Sequence, residues 1–110
     1  MSIIDINDKN IDDIVAQNSN VFIDCWTPEF KEECKEISAL FDEYSDRGEY
    51  PVVFGKMDAS KNPLTAKKYG IQVFPHVLLF KDGKPQGAIF GLINRDRLNL
   101  NLYSYRRNKQ

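Results

Sequence analysis

Thiols are scarce in this chain: of 110 residues only Cys25 and Cys34 are cysteine, and they lie too far apart to form a Cys-x-x-Cys pair. Two such residues do not make a disulfide framework. Histidine is scarcer still. His76 stands alone, and one imidazole with two thiols and no convergent spacing cannot build a metal site. No metal or other cofactor is therefore expected. Long apolar runs are missing too. No segment approaches the ~18 residues of a membrane span, so no membrane partner is expected. The stretch from Met1 to Asn10 carries Asp5 and Asp8 and no apolar signal core. Export is not expected, and the cytoplasm is the expected location. Charge of one sign is lacking as well: the formal net charge is −1, with no pull toward nucleic acid or anionic lipid. The basic stretch Tyr105-Arg106-Arg107-Asn108-Lys109 reads as a solvated tail. Without repeat, low-complexity stretch or linker, residues 1–110 are expected to form one domain.

Apolar residues make up 42% of the chain and aromatics 12%, enough for a core without staples. Ile3-Ile4-Asp5-Ile6 is a short strand candidate. Asn7 or Asp8 can cap a helix with Ile11, Ile14 and Val15 on one face, ending near Asn18-Ser19-Asn20. The run Val21 to Trp26 is continuous, apolar and rich in β-branched residues, the pattern of a central strand buried on both faces. Thr27-Pro28 predicts a helix start, with Phe30, Cys34, Ile37, Leu40, Phe41 and Tyr44 as its apolar stripe and Gly48 as its stop. Val52 to Met57 is a strand, and Asn62-Pro63 opens a short helix ending at Gly70. Val77 to Phe80 and Gly87 to Phe90 read as a hairpin around Lys81-Asp82-Gly83-Lys84. A last helix is built on Leu98, Leu102 and Tyr105. The order β-α-β-α-β-α-β-β-α predicts an α/β fold with a mixed sheet of four or five strands, covered by helices on both faces.

Two stretches carry a family likeness: Trp26-Thr27-Pro28-Glu29-Phe30-Lys31-Glu32-Glu33-Cys34-Lys35 and Gly70-Ile71-Gln72-Val73-Phe74-Pro75-His76. With the strand before the first, they resemble thioredoxin, whose motif is Trp-x-x-x-Cys-x-x-Cys-Lys. The likeness covers residues 2 to 105 and implies the thioredoxin fold. Asp24 resembles the family's buried acid, Lys56 the lysine beside it, Pro75 the cis-proline and Gly91 the glycine lining the substrate groove. The departures cluster at the motif. From Trp26 to Cys34 the chain is one residue longer than the family. With an insertion, Cys34-Lys35 matches the second cysteine and its lysine, and Lys31 stands where the attacking cysteine belongs. Without a gap, Phe30 and Glu33 take the two cysteine positions. Ala39 and His76 replace the family's helix proline and its threonine after the cis-proline.

The candidate site residues follow. Cys34 is either a buried core residue or a monothiol at the resolving position. If Pro28 opens the helix, Cys34 lies almost two turns in, where the helix dipole has faded. Cys25 follows Asp24 on the strand and so points to the opposite face; if Asp24 faces the motif helix, as the resemblance implies, Cys25 faces away from Cys34 and no disulfide joins them. Asp24 and Lys56 are expected as a structural pair or proton-handling pair, since a buried acid is costly unless paired. His76 is expected to be an ordinary strand-end residue. Trp26, Ala59, Phe74, Pro75, Phe90 and Gly91 match the apolar rim where the family holds an extended peptide by strand addition.

Two functions stand in front. One is a module that binds a protein or peptide partner through that groove, with at most monothiol chemistry at Cys34. The other is a thiol–disulfide oxidoreductase in cell redox homeostasis. A structural subunit of a larger complex is the third. The oligomeric state is left open.

Overall fold

The structure is a computed structural model that describes residues 3–103. In chain order its elements are β1 (Ile4–Asp5), α1 (Ile11–Gln17), β2 (Asn20–Trp26), α2 (Lys35–Arg47), β3 (Val53–Asp58), α3 (Pro63–Lys68), β4 (His76–Lys81), β5 (Lys84–Phe90) and α4 (Arg95–Tyr103). The five strands form one mixed sheet in the order β1-β3-β2-β4-β5. β3 runs parallel to β1 and β2, while β4 runs antiparallel to β2 and β5 to β4. The expected central strand is therefore central. This is the thioredoxin fold the likeness implied.

Alternation along β2 divides the core. Phe22 packs with Ile37, Phe41, Phe54 and Leu98 on the side of α2 and α4. Val21, Ile23 and Cys25 pack with Ile11, Val15 and Met57 on the side of α1 and α3. Phe54 meets the Phe41 ring edge-on at 5.2 Å and the Phe22 ring at 6.0 Å, a geometry aromatic pairs favour. At Gly55 a Cβ would lie 2.7 Å from Ile6 Cγ1, so only glycine lets β3 carry β1 this closely.

Three local expectations are corrected. First, Asp8 does not cap α1. Its carboxylate accepts from the Leu64 and Thr65 N–H groups and so caps α3, while Asn7 holds the turn before α1 by accepting from Lys9 and Asn10. Second, no single helix runs from Pro28. A 3-10 turn spans Pro28–Phe30, a further turn follows, and α2 begins at Lys35 with Cys34 as its N-cap. Residues 29–33 are all exposed, so no buried face enforces regular helical bonding until Cys34. Third, β5 starts at Lys84 rather than Gly87. Its outer edge carries no neighbour in the sheet and so accepts Pro85, and Gln86 is left over between the pairs Leu79–Gly87 and Phe80–Pro85.

Other signals hold. Gly48 takes φ 65 as the α2 stop, with its N–H donating to the Tyr44 carbonyl. Asp82 and Gly83, at φ 52 and 81, make the two-residue turn that matches strand twist. Leu98 and Leu102 anchor α4 in the core, whereas Tyr105 lies outside the described residues. The Phe74–Pro75 peptide bond is cis.

Candidate functional site

β2 delivers Asp24 and Trp26 toward the start of α2, and the parallel register sets Lys56 of β3 opposite Asp24. Asp24 is fully buried. Neither of its carboxylate oxygens has a hydrogen-bond partner among the described residues. The expected pair is therefore corrected: Lys56 Nζ donates instead to Ser38 Oγ at 2.8 Å and to Asp42 Oδ1 at 2.9 Å. α2 supplies both acceptors, one turn apart on the wall that faces β3, and they draw the amine away. Burial pushes the Asp24 carboxyl up to about 7, opposed by the Lys56 charge and reinforced by Asp42.

Cys34 caps α2 positionally rather than lying two turns inside it, so its distance from a helix start is no bar to reactivity. Burial is. The residue is 3% exposed, and burial raises its thiol above the ordinary value. The Thr27 backbone works against that rise, while Asp24 and Glu33 add to it. Cys25 is fully buried in the cluster on the other face of the sheet, as strand alternation predicted. Burial above all, then Asp24 and Cys34, push its thiol well above the ordinary value. Both thiols are free.

The candidate residues are divided by α2 rather than gathered. On the β3 side, Cys34, Trp26, Lys31, Ser38, Asp42 and Lys56 line a cavity of about 720 Å³. On the other side, Phe74, Pro75 and Gly91 line a smaller depression of about 330 Å³ with Glu33, Glu36, Leu92 and Ile93. Phe30 leaves the expected helix stripe and stacks on Phe74 at 6.0 Å. The Gly91 N–H donates to the Pro75 carbonyl at 3.2 Å, closing the floor.

Three of the expected rim residues belong elsewhere, the first being Trp26, which lines the cavity toward β3 because β2 ends beneath that side of α2. Ala59 is buried in the core beneath α1 and α3, because the chain tightens into a 3-10 turn directly after β3. Phe90 pairs with His76 in the ladder and stacks on its ring at 5.2 Å. It thus faces the Cys25 side of the sheet, away from the depression. His76 is buried, and burial lowers its imidazole below the ordinary value against a smaller opposing effect of the Val73 backbone. Neither ring nitrogen makes a hydrogen bond of normal geometry among the described residues. Ser38 and Asp42 escaped the sequence reading. Their α-helical spacing was visible, but which wall of α2 each one faces was not.

A thioredoxin family model matches residues 2–104. The chain belongs to the thioredoxin family. Among thioredoxins, that of Staphylococcus saprophyticus is 29% identical over 98 residues, covering 89% of this chain and 92% of its own length. The thioredoxin of Buchnera aphidicola is 32% identical over 92 residues, 82% of this chain and 84% of that one. The chain spans 58% of the length of the chloroplastic M-type thioredoxin of Pisum sativum, at 29% identity. A mutant thioredoxin from Halobacterium salinarum NRC-1 shares the fold, with a TM-score of 0.85 at 21% identity, covering 99% of this chain and 95% of that one. Among the described residues of this thioredoxin-family chain, no helix is long and apolar enough to cross a membrane, and no group of three or more His, Cys, Asp or Glu is placed to hold a metal.

Proposed function

We propose that this chain is a cytoplasmic thioredoxin-family module that binds a protein or peptide partner beside Pro75 and has no dithiol chemistry. One observation carries the reading: Cys34 is 3% exposed, and the only other thiol, Cys25, packs on the opposite face of the sheet. Dithiol exchange needs a thiolate that attacks and a second thiol that resolves the mixed disulfide. Burial disfavours the thiolate, and no second sulfur stands on that side. The depression at Phe74 and Pro75 needs neither. Its apolar floor and the exposed Leu92 at its rim suit an extended segment laid against the chain.

An oxidoreductase using Cys34 alone is the second reading. The position of Cys34 at the start of α2, lining a cavity with Trp26, favours it. Glutathione or a partner thiol would then resolve the mixed disulfide.

Insulin reduction with dithiothreitol, combined with thiol titration, separates the two. The expected result is turnover no faster than dithiothreitol alone, with both thiols labelled only after unfolding. Turnover comparable to an ordinary thioredoxin, or rapid labelling of Cys34 in the native protein at neutral pH, would overturn the binding reading.

A further inference from the structure

α2 and the turn before it present only carboxylates to the Pro75 side and charges of both signs toward β3. Lys31 and Lys35 line the cavity toward β3, together with Glu32. Glu33 and Glu36 line the depression beside Pro75. Both glutamates are exposed, and neither is held in an ion pair among the described residues, unlike Asp42 and Glu43 farther along the helix. The lining contains no cation. Of the arginines of α4, Arg95 forks onto Glu43 with two bonds of 2.8 Å, while Arg97 donates to the Leu92 carbonyl at 2.6 Å and so keeps its positive charge at the Leu92 edge. Beside the two carboxylates lie Phe74, Pro75 and the almost fully exposed Leu92. Apolar surface of this kind, flanked along its α2 side by two carboxylates outside any ion pair among the described residues, marks a docking place with a preferred partner charge on that side.

We infer that the depression takes an extended segment of a partner protein in which lysine or arginine adjoins an apolar residue. The inference rests on the binding function proposed above and adds the chemistry of the occupant. The apolar side chain covers Phe74 and Leu92, and the cation meets Glu33 and Glu36. An acidic segment brings like charges together and is rejected.

The test immobilises the full chain and pans a library of random-sequence peptides at low salt. Three proteins are compared: wild type, the Glu33→Gln/Glu36→Gln double variant, and Leu92→Ser. The substitutions lie at exposed positions, and circular dichroism checks that all three fold alike. Peptides retained by wild type are expected to be enriched in lysine and arginine by roughly threefold, the scale of an exposed charge pair. The double variant loses that enrichment, and Leu92→Ser retains fewer peptides. Peptides retained without basic enrichment, or enrichment that persists in the double variant, overturn the charge selection and leave the groove standing. Retention no greater than that of Leu92→Ser overturns the groove and the inference together.

Discussion

Asp24 is an acid held far from ordinary solvation. Its carboxyl is fully buried, unbonded among the described residues and shifted from 3.8 to about 7. An acid whose folded-state value is raised holds its proton where the unfolded chain releases it. Folding then binds protons, and stability falls as pH rises. The effect is absent below about pH 4, grows between 4 and 7 and levels off above 7. Asp24→Asn keeps the shape and cannot ionise. Its gain over wild type is expected to be small at pH 4 and to approach about 4 kcal/mol by pH 8, from the span of the shift. Urea unfolding of both proteins from pH 4 to 8 checks this. A gain independent of pH would mean that Lys56 neutralises the carboxylate after all.

At the scale of the element, the turn from Pro28 to Cys34 decides what chemistry could be restored. Lys31 and Cys34 line the same cavity, three residues apart at the entry to α2, so Lys31→Cys would set two sulfurs on one wall. Oxidation should remove two titratable thiols from this variant and none from Lys31→Ser. Insulin reduction by Lys31→Cys is expected to be measurable but weak, because that wall faces β3 while the Pro75 depression lies across the helix. Silence from Lys31→Cys with activity from the Phe30→Cys/Glu33→Cys double variant would assign the lost site to the pair beside Phe74 and Pro75. Asp8 illustrates the same dependence. Its capping chemistry is evident from residue type, yet the N–H groups it satisfies belong to α3, more than fifty positions along the chain.

For the whole molecule, the sheet order predicts a gradient of local stability. β2 is paired on both edges and packed on both faces, whereas β5 is an edge strand with a bulge and mostly exposed side chains. Amides buried in doubly paired strands open only with global unfolding, and edge segments open locally. Hydrogen exchange should therefore be slowest in Phe22 to Cys25 and faster by orders of magnitude in β5. Equal protection of β2 and β5 would show that the edge is covered, as a partner or second copy would do.

Much of this was legible in local pattern. The apolar run from Val21 to Trp26, the Gly48 stop, the Asp82-Gly83 turn and the opposite facing of Asp24 and Cys25 all follow from periodicity of two or 3.6 and from backbone sterics. These act between neighbours, so the sequence alone determines them. It also determines the shortage of thiols, and with it the absence of a Cys-x-x-Cys pair. Only tertiary structure decided which side of α2 each candidate would serve. Where the helix begins, and its rotation about its own axis, sends Lys31 and Cys34 toward β3 but Glu33 and Glu36 toward Pro75. Strand pairing likewise took Phe90 to His76, and the two α2 acceptors took Lys56 from Asp24. Such choices rest on contacts between residues distant in the chain, whose energies no local pattern records.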